Sequence, residues 1–218
     1  PVEGIVTIQP SATTNFDIVT MIPGTQTPAS ISGRLLNAFT NQAITAGLTV
    51  RIRPGINATN GPYALDANNQ TIGAVTSAAD GSYVIPNVPA GNYTVEVSGT
   101  GFLTTYETVI SAGANSSNQN ILVSPSLGAD EVRIVLSWNA TPKDVDSHLE
   151  YGNSACLDGG KKCQVVWNQK SRLGGDLTLD VDVVTGFGPE TTTLKGTVWT
   201  SPIVTRLGYS LYNWSNDA

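Results

Sequence analysis

The sequence predicts an all-β protein with two β-sandwich domains in tandem, preceded by an extended, strand-like N-terminal arm. Its 218 residues are rich in Thr, Val, Ile, Ser and Asn, and 22 Gly and 12 Pro interrupt them, which is typical of many short strands. The long runs of Ala, Leu, Glu and Lys that indicate helices do not occur in the sequence. A hydrophobic content of 40% fits packed cores rather than a disordered chain.

The N-terminal arm comprises residues 1–29, which carry only two charged side chains, Glu3 and Asp17. Two strand-like stretches, GIVTIQP and FDIVTMIPG, flank the polar break PSATTN. We expect the arm to pair with a sheet edge of a neighbouring subunit or, as the alternative, of the adjacent domain. The apolar side chains that would fill a pocket there are Ile5, Ile8, Phe16, Ile18 and Ile22.

Residues 30–125 show the regular alternation of a sandwich. In GLTVRIRPG, Leu48, Val50 and Ile52 alternate with polar neighbours, as in a half-buried strand. The stretch YTVEV repeats this pattern. Roughly seven short strands at a spacing of about 8–12 residues indicate a β-sandwich.

Short motifs punctuate this first unit: DGSY at 80–83, PAGNYT at 89–94 and GF at 101–102. Asp-Gly supplies the positive φ of a tight hairpin, and Pro-Ala-Gly sets up the turn into the next strand. Tyr83, Tyr93 and Phe102 are natural core anchors. With these motifs the unit resembles the carboxypeptidase regulatory-like domain, a prealbumin-type sandwich of secreted and cell-surface proteins. The resemblance implies a structural or accessory module without catalysis.

After the linker SPSLGADE, residues 130–218 form a second strand-rich unit. Its candidate strands are RIVLSWN, HLEYG, CQVVWNQ, DLTLDVDVV, ETTTLKGTV and YSLYNWS. The unit resembles a module that follows regulatory-like domains in bacterial surface proteins; the shared marks are a strand ending in Trp138, PKDVDSHL at 142–149, LDVD at 179–182 and GFGPET at 186–191. In that module a further strand follows YSLYNWS, so we expect the second sandwich to lack its final strand.

An acidic set stands out because only 13% of the chain is charged. Asp144 and Asp146 share one face of an extended segment, Asp180 and Asp182 repeat the spacing, and Glu190 follows a Gly- and Pro-containing loop. If the segments are adjacent, their carboxylates converge, and like charges that close require a cation such as Ca²⁺. The alternative is a structural network in which the aspartates cap turns. The sequence has no EF-hand loop.

Catalysis is the third interpretation of the acidic set. A carboxylate pair could serve a glycosidase, and a Ser-His-Asp relay would have to pass through His148, the single histidine. Ser147 would point to the opposite face of a strand. We therefore expect no catalytic residues.

All four tryptophans lie in the second unit, and an exposed Trp199 or Trp214 could stack on sugars.

The cysteines and the charge bear on location. Cys156 and Cys163 enclose LDGGKK. The Gly-Gly turn of this stretch would let the two cysteines form a disulfide, which favours an extracytoplasmic setting.

The net charge of −6 and the pI near 4.6 argue against nucleic-acid binding. No apolar run approaches the roughly 18 residues of a membrane span, and we expect any signal peptide to have been removed. Sequons that permit glycosylation lie at Asn57, Asn69, Asn92, Asn115, Asn139 and Asn213.

These observations predict a non-enzymatic, secreted protein of the cell surface. The leading hypothesis is a structural subunit of a filament or array, in which the arm assembles a homopolymer by β-strand addition. The second hypothesis is an adhesin that binds glycan or protein, and the third is a carboxylate-based hydrolase. Calcium is the one cofactor that the sequence suggests.

Overall fold

The computed structural model describes residues 27–138, 140–153 and 155–215. This part of the chain consists of strands in several sheets, with one short α-helix and one 3₁₀ turn, so the all-β prediction is confirmed. Within it, no helix has the length and apolar content needed to cross a membrane. The predicted arm residues Ile5, Ile8, Phe16, Ile18 and Ile22 lie outside the described residues, as does the sequon residue Asn139.

The first unit consists of two sheets around one core. In one sheet, β1 (Ala29–Asn37) pairs antiparallel with β4 (Ser82–Val88) and parallel with β7 (Ile121–Val123). In the other, β2 (Thr49–Pro54) and β5 (Gly91–Ser98) lie between β3 (Val75–Thr76) and β6 (Thr105–Ser111). The alternating Leu48, Val50 and Ile52 are buried in the core, together with Tyr83 and Tyr93.

The second face of β5 is buried as well, although the alternation predicts a polar, half-exposed strand. Val95 and Val97 enter the core, while Thr94 and Glu96 on the opposite face are only 1% and 9% exposed. Arg53 Nη2 lies 2.6 Å from Glu96 Oε2, and the Tyr63 hydroxyl donates to Glu96 Oε1 at 3.1 Å. The segment after β2 therefore covers this face through Tyr63.

The second unit also has two main sheets. In the first sheet the strand order is β13 (Ser171–Arg172), β14 (Leu177–Val181), β15 (Glu190–Leu194) and β8 (Val132–Leu136). In the second sheet the order is β12 (Gln164–Val165), β9 (Val145–Tyr151) and β16 (Leu207–Asn213). The 3₁₀ turn is Leu173–Gly175, and α1 is Thr197–Thr200. A second core contains Leu149, Tyr151, Leu177, Leu179 and Leu194.

A small hairpin carries the disulfide of this unit. Strands β10 (Leu157–Asp158) and β11 (Lys161–Lys162) pair antiparallel, and both Gly159 and Gly160 in the turn have positive φ. Cys156 and Cys163 flank the hairpin and are joined, with their Cα atoms 5.5 Å apart. The Gly-Gly turn therefore has the role that the sequence predicts for it.

Strand β16 lies at the edge of its sheet. It pairs along its whole length with β9, from Leu207 opposite Tyr151 to Asn213 opposite Val145. No strand among the described residues pairs with its other side. The strand LGYSLYN has no charged residue. Two of its large side chains, Leu211 and Tyr212, are 53% and 47% exposed.

Candidate functional site

The acidic cluster, defined here as Asp146, Asp182 and Glu190, lies where the two sheets of the second unit meet. Asp146 is the second residue of β9, Asp182 directly follows β14, and Glu190 is the first residue of β15. Each residue offers a carboxylate oxygen, and the three oxygens lie within 4.8 Å of one another. Three of the five acidic residues that the sequence suggests thus converge on one point.

The loop before β15 brings Glu190 to this point. Gly186 and Gly188 both have positive φ, and the Gly186 N–H donates to the Lys143 carbonyl at 2.6 Å. A Cβ at Gly186 would lie 2.6 Å from the Ala140 carbonyl oxygen, and one at Gly188 would lie 2.9 Å from the Trp138 ring. Only glycine permits so close an approach with this backbone. The motifs PKDVDSHL and GFGPET pack together with Trp138, which lies two residues after the end of β8.

The cluster is buried and short of hydrogen-bond donors. Glu190 is 0% exposed and Asp146 is 5% exposed. The Ser147 backbone N–H donates to Glu190 Oε2, and Lys170 Nζ lies 2.7 Å from Asp182 Oδ2. Within the described part of the chain, Glu190 Oε1, Asp182 Oδ1 and the nearby Asp144 Oδ1 are buried without a hydrogen-bond partner. Buried polar atoms in folded proteins are nearly always partnered, so these three oxygens call for a donor or a cation.

The electrostatics are unfavourable for three ionised carboxylates. Burial raises the pKa of Glu190 to about 7, although hydrogen bonds from Ser147 oppose the rise and the charges of Asp182 and Asp146 add to it. Burial, with the charges of Asp144 and Asp182, raises the pKa of Asp146 to about 6. Burial and the charge of Asp182 also raise the pKa of Asp144. In the described structure a single ammonium group, Lys170, forms an ion pair with these carboxylates.

Asp180, which the sequence pattern groups with Asp182, is not among the three residues of the cluster. Its carboxylate accepts hydrogen bonds from Thr178 Oγ1, at 2.7 Å, and from Thr193 Oγ1. The register between β14 and β15 shifts between Leu179 and Val181. Thr178 and Asp180 nevertheless share one face of β14, whose burial alternates regularly, and Thr193 pairs opposite Thr178. Asp180 therefore fits the alternative interpretation of a structural polar network.

The histidine has a packing role on the outer face of β9. Its ring lies against that of Tyr212 in β16, with the ring centroids 4.3 Å apart. Ser147, the next residue toward the N-terminus, is 1% exposed and points to the other face of the strand. The geometry of a Ser-His-Asp relay is therefore not formed by Ser147 and His148.

Two exposed tryptophans flank the acidic cluster. Trp167 and Trp214 line a cleft of 280 Å³ together with Asp144, Asp146 and Val184, and their side chains are 50% and 61% exposed. The Trp214 N–H donates to the Asp144 carbonyl at 3.1 Å. The exposure of Trp167 is not predicted from the sequence, because the residue follows two apolar residues in a strand-like stretch. In the structure, Trp167 lies in a turn. The polar sequence NQK that follows it is the signal that could have revealed its exposure.

Trp199, the other predicted stacking residue, does not line this cleft. Its side chain is 47% exposed, and its Nε1–H donates to the Asp130 carbonyl at 3.0 Å. Among the predicted sequons, the exposed residues are Asn57, Asn69, Asn115 and Asn213, whereas Asn92 is half-buried.

Residues 30–124 match the family model of the carboxypeptidase regulatory-like domain. The match confirms the resemblance for the first unit. No curated protein matches the chain.

Solved structures share part of the fold at low identity. The type II cohesin–X-dockerin complex of Acetivibrio cellulolyticus is 20% identical with a TM-score of 0.30, covering 44% of this chain and 58% of that one. The minor pilin GBS52 of Streptococcus agalactiae is 14% identical with a TM-score of 0.32, covering 47% of each chain. The major pilin SpaD of Corynebacterium diphtheriae is 12% identical with a TM-score of 0.32, covering 84% of this chain and 55% of that one. The chain thus spans about half the length of these three structures.

Proposed function

We propose that this protein, whose residues 30–124 are a carboxypeptidase regulatory-like domain, is a non-enzymatic structural subunit of an extracellular assembly. In this proposal, copies join by β-strand addition: the N-terminal arm of one copy pairs with the outer edge of β16 in the next. The observation that carries the proposal is the uncharged, apolar and partly exposed edge strand β16.

The edge of β16 has the properties of an acceptor. Natural proteins protect exposed edges with charges, prolines or bulges because free N–H and C=O groups template further pairing. Strand β16 contains no charge and no proline. Leu207 and Leu211 are 41% and 53% exposed on one face of the strand, and Tyr212 is 47% exposed on the other. An added strand would cover these side chains and pair the backbone groups of the edge.

The arm has the composition of a donor. Its stretch FDIVTMI has seven residues, the same length as β16, and a single charge. At about 3.3 Å per residue, such a strand extends for roughly 23 Å, which matches the acceptor edge. Donor and acceptor belong to different surfaces of the same chain, so the contact is head-to-tail and repeats as an open filament.

A complementation experiment with two variants tests the proposal. Deletion of residues 1–26 removes the donor and leaves β16 intact, whereas Leu211→Lys places a charge on the acceptor edge and leaves the arm intact. We expect the full chain to form filaments in negative-stain electron microscopy and each variant alone to sediment as a monomer. Mixing the two variants should yield one-to-one dimers, because each supplies the part that the other lacks.

The matched control is Val84→Lys, which places the same charge at a 54% exposed apolar position of β4 in the first unit. This variant should assemble like the unaltered chain. Filaments that form from the deletion variant alone, or from Leu211→Lys alone, would contradict strand addition at β16.

A second candidate function is glycan binding, which the cleft between Trp167 and Trp214 favours. Exposed aromatic rings stack on sugar faces, and the adjacent Asp144 and Asp146 could accept hydrogen bonds from hydroxyl groups. Glycan-array binding that is lost in Trp167→Ala and retained in Trp199→Ala would support this function. Binding that is unaffected by Trp167→Ala would exclude the cleft.

A further inference from the structure

We infer that Asp146, Asp182 and Glu190 bind a calcium ion that ties the two sheets of the second unit together. Asp146 lies 36 residues before Asp182 in the chain, and its strand β9 belongs to a different sheet from β14, which ends next to Asp182, and β15, which begins at Glu190. This site is independent of the strand-addition proposal, since neither the arm nor the outer edge of β16 contributes a ligand.

The donor set and its spacing suit calcium. All three candidate ligands are carboxylates, and Ca²⁺ binds oxygen ligands at about 2.3–2.6 Å. Two oxygens on opposite sides of the ion are then about 4.6–5.2 Å apart, which accommodates oxygens lying within 4.8 Å of one another. Mg²⁺ has shorter bonds, demands near-ideal octahedral geometry and dehydrates reluctantly, so it suits a buried, asymmetric carboxylate set less well.

A second observation points into the same site. Glu190 is 0% exposed, and its Oε1 is a buried atom without a hydrogen-bond partner among the described residues. Its other oxygen is held by the Ser147 N–H, so the free oxygen has a fixed position. Asp182 has the same arrangement, with Oδ2 held by Lys170 at 2.7 Å and Oδ1 buried and unpartnered.

The charge balance agrees with a divalent ion. Four neighbouring carboxylates, those of Asp144, Asp146, Asp182 and Glu190, and the single ammonium group of Lys170 leave an excess of negative charge when all are ionised. Like charges this close cannot all remain ionised unless a cation compensates them. Ca²⁺ offsets two of these negative charges, and water or backbone carbonyls can complete its six to eight ligands.

Calcium titration of the full chain tests the site, after treatment with EGTA. We expect Ca²⁺ at about one hundred times its Kd to raise Tm by roughly 5–10 °C, and Mg²⁺ at the same concentration to raise it less. Tb³⁺ should show sensitised emission, because Trp214 and Trp167 line the adjacent cleft, and Ca²⁺ should quench that emission by displacement. A chain that shows no Tm rise and no Tb³⁺ emission would overturn the inference, and an equal response to Mg²⁺ would overturn the assignment to calcium.

Isosteric variants locate the ion. Glu190→Gln and Asp182→Asn each remove one negative charge without changing the shape of the side chain. We expect both to lower the Ca²⁺ affinity at least tenfold, and Glu190→Gln to keep or raise the metal-free Tm because the charge repulsion falls. The matched control is Asp180→Asn, whose carboxylate binds Thr178 and Thr193 instead. An unchanged affinity in both Glu190→Gln and Asp182→Asn, or an equal loss in Asp180→Asn, would contradict the site.

Discussion

Glu96 is the residue at which burial and charge conflict most clearly in the first unit. It lies on the face of β5 opposite the core, is 9% exposed, and accepts hydrogen bonds from both Arg53 and Tyr63. The Arg53 guanidinium lies 4.2 Å from the centroid of the Tyr63 ring. Each member of this group satisfies a polar atom of another, so removal of one member leaves a buried polar atom unpaired.

Replacement of Glu96 by Gln tests this dependence. We expect Glu96→Gln to lower Tm by several degrees, because a buried guanidinium then loses its counter-charge. The matched control is Glu150→Gln, which breaks the exposed ion pair with Lys162 and should change Tm by a degree or less, as surface pairs contribute little. Differential scanning calorimetry measures Tm for both variants. Equal decreases in Tm would show that the buried ion pair stabilises the protein no more than the exposed pair does.

At the scale of elements, the loop between β14 and β15 determines the geometry of the acidic cluster. Its two glycines approach Ala140 and Trp138 so closely that neither has room for a Cβ. The loop also hydrogen-bonds to Lys143, in the segment that leads into Asp146. Any side chain at Gly186 or Gly188 would displace the start of β15, and with it Glu190.

Gly186→Ala should therefore weaken both folding and cation binding. We expect a free-energy loss of more than about 1 kcal/mol, because positive φ and a backbone clash act together. Gly174→Ala is the matched control: it also has positive φ, but a Cβ there meets nothing within 4 Å. Urea unfolding and Tb³⁺ titration of both variants measure the difference. A Gly186→Ala variant with unchanged Tb³⁺ affinity would show that the loop does not determine the geometry of the acidic cluster.

At the scale of the whole molecule, direct contacts join the two units. Thr191, in the GFGPET motif, is buried, and its hydroxyl donates to the Ala38 carbonyl at 2.6 Å. The Arg133 guanidinium lies 5.0 Å from the centroid of the Phe39 ring and donates to Ser124 Oγ at 2.8 Å. These contacts involve β8 and β15, whereas β16 lies in the other sheet. The proposed acceptor edge is therefore separate from the contact between the units.

Hydrogen exchange should show assembly at that edge. We expect the outward-pointing amides of Leu207–Asn213, which do not bond to β9, to exchange more slowly in the assembled protein than in the deletion variant, because an added strand pairs these free groups. Amides of β2, which lies inside its sheet, should exchange at the same rate in both and serve as the internal control. Equal exchange of β16 in the two samples would contradict strand addition there.

Local patterns were enough to predict several features of this protein. Period-two alternation around Leu48, Val50 and Ile52 predicts strands, and the Gly-Gly turn between Cys156 and Cys163 predicts a disulfide-bridged hairpin. The repeated spacing of Asp144 with Asp146 and of Asp180 with Asp182 indicates acidic residues that can share a strand face. In each case the signal is contained in a few consecutive residues, where backbone geometry dictates which side chains share a face.

Other features depend on tertiary contacts. Asp180 accepts a hydrogen bond from Thr193 of the neighbouring strand, the segment after β2 buries Glu96 on the outer face of its sheet, and Trp167 is exposed because the chain turns there. By itself the sequence determined the all-β class and the residues that could share a strand face, because strand periodicity is local. Only the tertiary structure decided which carboxylates meet and which strand has a free edge, because register and burial depend on strands distant in sequence.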